Sequence, residues 1–290
     1  MKHIVTTVLA TTALVATVST AQAQNLSYIG VIGQSASGSY QLNGDDGDAS
    51  AMGLEAGLIY NINSASRIVV EGQYLNWSDD GSGDLFDDAP GSEAQVALHY
   101  LRDSGAFTYG GFLQLGAAEA VKGDADELYK HYAVGLTGMY QINPAFSAYG
   151  QIGIADTFDD GNLDSFGYSS GDFARLGGIY SDLANTQLFF DVQVGSSDAY
   201  EDDDEPGAFT RIALGGETRF GAGSNWAVTY EVSQAEYNAL GDSDRVEVTT
   251  LGLGMRYYFG QTQSGDFTNA GAIGTPDILS RASLFTDQLD

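Results

Sequence analysis

Beyond its first 23 residues the chain carries two histidines, His99 and His131, and no cysteine. Thiol nucleophiles and thiolate metal sites are therefore excluded. A hydrolytic site built on histidine needs a serine or a carboxylate held against the ring. Asp126 and Glu127 stand close to His131 in sequence, and that proximity is the whole of the signal. Gly-x-Ser-x-Gly, His-Glu-x-x-His and glycine-rich phosphate loops are missing. On an alternating-strand map the two histidines fall at opposite ends of their strands, so they are not expected to meet. A barrel hydrolase built around His131 is the least favoured reading, and no catalytic residue or cofactor is expected.

The remaining chemistry is electrostatic. Glu217 and Arg219 lie two residues apart, which puts both on one face of a strand. Five of the eight arginines share this polar parity: Arg67, Arg175, Arg211, Arg219 and Arg256. So do five acids: Glu55, Glu71, Asp191, Glu217 and Glu231. The same parity holds bulky Phe112, Phe189 and Tyr258. Charges of both signs on one wall either line a hydrated pore that selects ions or pair with one another and fill the interior. Residue types alone leave both open.

The chain has 11 Lys and Arg against 39 Asp and Glu, a formal charge of −28. Nucleic-acid binding, which needs basic surface, is excluded. By count, 27 of those acids fall in six segments: Ala36–Asp48, Ser78–Glu93, Glu119–Tyr129, Asp156–Asp172, Ser197–Gly207 and Glu236–Asp244. Within them stand Asp79-Asp80, Asp87-Asp88, Asp159-Asp160 and the run from Glu201 to Glu205. Clustered carboxylates suit Ca²⁺ or Mg²⁺, although none has the spacing of an EF-hand. They equally serve as a solvated surface, or concentrate cations at a mouth.

The elements that must position these charges are strands. Leu54, Ala56, Leu58 and Tyr60 alternate with Gly53, Glu55, Gly57 and Ile59, and Leu188, Phe190, Val192 and Val194 alternate with Gln187, Phe189, Asp191 and Gln193. This period of two belongs to a strand with one apolar and one polar face. About twelve such strands of about 8–14 residues are expected. The connections alternate in length. Short turns at Ile62–Ser66, Arg102–Gly105, Ile142–Ala145, Leu183–Asn185 and Gly221–Asn225 are rich in Asn, Gly, Ser and Pro. The acidic segments are the long connections. Tyr60, Tyr100, Tyr140, Tyr180, Phe220 and Phe259 recur about every 40 residues at strand ends, as an interfacial aromatic girdle would. A β-propeller is set aside because each repeat holds two long strands rather than four short ones. A soluble sandwich is the stronger rival, but would not segregate its loops by charge. The expected fold is all-β, an up-and-down antiparallel transmembrane barrel with short periplasmic turns and long acidic outer loops.

Residues 1–23 read as a signal peptide, with Lys2 and His3 as basic head, an apolar run from Ile4 to Val18 and Ala21-Gln22-Ala23 at the cleavage site. Residues 24–259 form the barrel. Residues 260–290 form a periplasmic tail, in which Thr275-Pro276 opens a possible short helix with a stripe of Ile278, Leu279, Ala282, Phe285 and Leu289.

With signal peptide, acidic body, alternating strands and Tyr257-Tyr258-Phe259 at the close of the last strand, the chain resembles the porin-like outer-membrane barrels of alphaproteobacteria. The resemblance is one of architecture and spans Leu26 to Phe259. It implies passive transport of small solutes through the outer membrane, with lipid, lipopolysaccharide and the barrel-assembly machinery as partners. It transfers no pore residue. The expected function is a channel with cation preference, its pore lined by the ten charged residues above. The alternative is a non-conducting structural or adhesive barrel that displays acidic loops. The oligomeric state is not legible.

Overall fold

In the computed structural model the described residues are 26–40, 46–79, 91–119, 128–157, 171–183, 185–197, 207–221, 224–238 and 245–259. They form twelve strands: β1 (Leu26–Tyr40), β2 (Asp46–Asn63), β3 (Ser66–Asp79), β4 (Gly91–Ser104), β5 (Phe107–Glu119), β6 (Leu128–Asn143), β7 (Phe146–Thr157), β8 (Gly171–Leu183), β9 (Thr186–Ser197), β10 (Gly207–Arg219), β11 (Trp226–Asn238) and β12 (Arg245–Phe259). Each pairs antiparallel with its sequence neighbours, and β1 pairs with β12 from Ser27↔Phe259 to Tyr40↔Val246 to close the barrel. Closure leaves no strand edge unpaired, the condition for crossing lipid with strands.

The two faces divide as the alternation requires. Leu54, Leu98, Leu136, Ile152, Phe190, Val192, Leu251 and Leu253 point outward and are exposed. On the opposite parity Glu55, His99, Gln114, Gln151, Arg175, Asp191 and Arg211 are buried inside. An apolar outside around a polar inside is the reverse of a soluble sandwich and the signature of a transmembrane barrel. Tyr60, Tyr100, Tyr140, Tyr180, Phe220 and Phe259 are exposed on the outer face beside the short turns. Phe107 packs on Tyr140 at 4.5 Å between ring centroids, and Trp226 on Tyr257 at 4.9 Å, tying the girdle across strands.

The short turns are built locally. Asn63 Oδ1 accepts from the backbone N–H of Ala65 at 2.9 Å. Asn143 Oδ1 accepts from Ala145 N–H at 2.9 Å and from Phe146 N–H at 3.0 Å. Both turns follow an Ile-Asn pair and share a register shift, at Asn61/Asn63 and at Gln141/Asn143. A side-chain carboxamide that closes its own turn is the reason Asn recurs there. Gly105 takes φ +64° and Asn185 φ +62°, the left-handed region that these two residue types enter most readily.

The strands run 12 to 18 residues, longer than the sequence pattern suggests. The extra length lies at both ends: the strands run into the acidic segments and also take up residues read as turn, as at Arg102–Ser104. Between β1 and β2 the pairing continues through Ala36↔Ala49 to Ser39↔Asp46, so much of the segment read as a long loop is hairpin. A tilted strand needs about 9–11 residues to cross a bilayer, and backbone pairing has no reason to stop where lipid does. Asp87-Asp88, Asp159-Asp160, the run Glu201 to Glu205, residues 1–23 and the tail 260–290 lie outside the described residues.

Candidate functional site

All ten charged residues singled out above project to the inside, on β2, β3 and β8 to β12. The barrel groups them into three ion-paired sets and leaves one residue apart.

The first set crosses the seam where the barrel closes. Arg256 on β12 reaches over β1 to Glu55 on β2 and donates two hydrogen bonds, Nε to Oε1 at 2.8 Å and Nη2 to Oε2 at 2.7 Å. This two-pronged geometry is the strong form of a guanidinium–carboxylate contact. The strand between them contributes Gly30, which sits level with both partners. A Cβ on Gly30 would lie 2.7 Å from Glu55 Oε1, so the absence of a side chain makes room for the pair. Arg256 Nη1 also reaches Glu217 Oε2 at 3.5 Å, and the Tyr258 hydroxyl donates to the same oxygen. Arg219 Nε stands 3.9 Å from Glu217 Oε1. The guanidinium of Arg256 lies 4.4 Å from the Tyr28 ring and that of Arg219 4.3 Å from the Tyr258 ring. Cation–π contact of this kind is favourable where water is scarce.

The second set centres on Asp191, which is 1% exposed. Its carboxylate accepts from Arg175 Nη2 at 2.7 Å, from the Tyr149 hydroxyl at 3.0 Å and from Gln193 Nε2 at 3.4 Å. Arg211 Nη1 lies 3.9 Å away, and Arg211 Nη2 donates to Glu231. Gln151, Arg175, Gln193 and Arg211 are lateral neighbours on β7 to β10, forming one polar band. Gly177 stands opposite Tyr149 and Asp191, and leaves space for the Tyr149 ring.

The third set sits near the short turns. Arg67 donates to both oxygens of Asp103 at 2.6 and 2.8 Å, and Thr108 Oγ1 donates to Asp103 Oδ1 at 2.7 Å. Glu71 is the residue left apart. Among the described residues its Oε2 has no hydrogen-bond partner, and His99 Nε2 lies 3.8 Å away.

These groups surround an internal cavity of about 310 Å³. Glu55, Glu71, Arg175, Arg211, Glu217, Glu231 and Arg256 line it, with Gln73, Gln95 and Trp77. Gln114 Nε2 donates to Gln95 Oε1 at 2.6 Å and Gln95 Nε2 to Gln73 Oε1 at 2.9 Å, an amide relay along the β3–β5 wall. Toward the short turns the lumen is packed. Tyr28, Ile59, Val69, Leu101, Ala227 and Tyr258 form one apolar cluster, and Met139, Tyr149 and Ile179, with Phe189 against them, form another. Phe112 is also buried inside, against His99 and Phe173 at 5.6 and 6.1 Å between centroids.

Several participants escaped the sequence reading. Asp103 falls in a segment read as turn. Tyr28 and Tyr149 carry no charge, although their position on their strands marks them as inward. Gln73, Gln95 and Gln114 carry no charge to draw notice, yet share the inner parity. His131 is buried within β6. Asp126 and Glu127, its sequence neighbours, lie outside the described residues. Among the described residues no group of three or more His, Asp or Glu is placed to hold a metal ion.

No protein-family model matches the chain. No curated protein matches it either. Among solved structures, an outer membrane channel from Pseudomonas putida F1 superposes with a TM-score of 0.59 at 14% identity, covering 80% of this chain and 95% of that one. A monoaromatic hydrocarbon channel, CymD, gives 0.48 at 9% identity over 84% and 91% of the two chains. The translocator domain of the autotransporter NalP from Neisseria meningitidis gives 0.46 at 16% identity over 89% and 96%. The fold is that of the porin-like outer-membrane barrels.

Proposed function

We propose that the protein is a narrow passive channel of the outer membrane for small solutes and ions, with a preference for cations. The observation that carries this reading is the polar cavity of about 310 Å³ inside a closed barrel. Filled barrels of eight strands have no such space, and wide porins of 16–18 strands have far more. Twelve strands fall between. Most charges on the wall around the cavity are paired, Glu71 apart, so a solute passing it meets mainly hydrogen-bonding groups. Carboxylates at the mouth add to the preference for cations. Up-and-down topology sends all six acidic connections to one end, where their carboxylates raise the local concentration of cations. A signal peptide at residues 1–23 is cleaved on export, and residues 260–290 remain on the periplasmic side with the short turns. Lipid and lipopolysaccharide surround the barrel, which the assembly machinery inserts. No cofactor takes part, and Ca²⁺ or Mg²⁺ at the acidic loops is a secondary possibility.

A second reading draws on the two apolar clusters at the short-turn end. They support a closed barrel that serves as a scaffold for its loops. Flux from proteoliposomes separates the two. The refolded protein in vesicles must release trapped K⁺ and pass small neutral solutes faster than empty vesicles. Retention of both by vesicles that contain folded protein would establish the scaffold reading.

A further inference from the structure

We infer that Glu71 is the point inside the channel at which a permeating monovalent cation is held. This rests on the channel reading above and assigns its selectivity to one residue. Most of the other inner carboxylates are held by arginine, and Glu93, which also lines the cavity, has contacts of its own. Glu55 is held by Arg256, Asp191 by Arg175, Glu231 by Arg211 and Asp103 by Arg67. Glu217 accepts from Tyr258 and lies 3.5 Å from Arg256. Glu71 differs from all of these. Among the described residues its one ion-pair contact is the His99 imidazole at 3.8 Å, beyond hydrogen-bond range. His99 itself is fully buried behind it, its ring against Phe112.

The surroundings of Glu71 leave room for an ion. Its lateral neighbours are Gly57 on β2 and Ala97 on β4, the smallest side chains available. Glu71 and Ala97 both line the cavity, and so do Gln73 and Gln95, whose amide oxygens stand on the same wall. A carboxylate with amide oxygens nearby offers hard oxygen donors to a cation that has shed part of its water. One carboxylate supplies one charge, which suits a monovalent ion that must also leave. Divalent ions favour several carboxylates together. Glu71 thus offers a passing cation a carboxylate that none of the arginines named above holds.

The test is the reversal potential of the refolded protein in a planar bilayer under a KCl gradient at pH 8. E71Q keeps the shape and removes the charge. The cation-to-anion permeability ratio should fall on the order of tenfold, the effect expected of one unit charge close to the ion path. E71D should retain most of the selectivity. A variant with two fewer acids in the connection between β3 and β4, D87N with D88N, should lower conductance in dilute salt while keeping the reversal potential closer to that of the wild type than E71Q does. An E71Q channel with wild-type selectivity would overturn the assignment. Silence from folded, inserted wild type would instead overturn the channel reading on which it rests. Wild-type conductance gives a check that needs no variant: it must level off with rising KCl, as an occupied site requires. A strictly linear rise would overturn the proposal even if E71Q failed to fold.

Discussion

The pair that bridges the closing seam gives the sharpest stability prediction. In R256M the side chain keeps an unbranched apolar stem and loses the charged guanidinium. Glu55, with 6% of its side chain exposed, is then left without its two-pronged partner. Breaking a buried pair from one side costs about 3–5 kcal/mol, because the surviving charge stays desolvated. Arg256 is 24% exposed toward the cavity, so water relieves part of that cost and the lower end applies, about 3 kcal/mol. Loss of the Tyr28 contact at 4.4 Å is included in that figure. Removing both charges, in E55Q with R256M, leaves no charge stranded at position 55, and Glu217 keeps Tyr258 and Arg219 beside it. The double variant should therefore be more stable than the sum of the singles by about 1.5–3 kcal/mol. The assay is equilibrium urea unfolding in thin-bilayer vesicles, followed through the two tryptophans, Trp77 inside and Trp226 in the outer girdle. If R256M falls within about 0.5 kcal/mol of wild type, or the double variant is additive, the seam is not held by this pair.

Three further outcomes follow from the same geometry. G30A pushes a Cβ against Glu55 Oε1 and should destabilise the barrel by about 1–3 kcal/mol without deleting either charge, in the same urea assay. L136R places a charge on the outer face near the middle of β6, where the leucine is 62% exposed, and should cost about 2–4 kcal/mol of folding into vesicles; no loss would mean that this face does not meet lipid. G105A meets no atom within 4 Å, so its cost is backbone strain at φ +64° alone, about 1 kcal/mol, and G105N should recover part of it.

Much of this architecture is legible in the chain because a strand in lipid has little freedom. Leu54 to Tyr60 and Leu188 to Val194 must alternate, since one face meets hydrocarbon and the other does not. The count of twelve strands and the inward parity of Glu55, Arg175 and Asp191 follow from that alternation. Which inward charges meet is a different matter. Glu55 and Arg256 are 201 residues apart. They become neighbours only when β12 closes on β1, and the register of that closure sets the level of each strand against the next. No local pattern encodes it. The hairpin from Ala36 to Asp48 escaped for another reason: outside lipid its Ser, Gly and Asp residues carry no hydrophobic alternation, although the backbone pairs just as well. Asp103 was hidden by its place beside a turn, and the Gln73–Gln95–Gln114 relay by its neutrality. That no arginine holds Glu71 shows only once the partners of Glu55, Asp191, Glu217 and Glu231 are known.

The central claim is that the polar cavity belongs to a conducting path. Single-channel recording of refolded protein, residues 24–290, addresses it directly. The account predicts stable unitary steps in a planar bilayer, with a reversal potential that favours cations under a salt gradient. Protein shown to be folded and inserted, yet electrically silent, would contradict it and leave a barrel sealed by its own side chains.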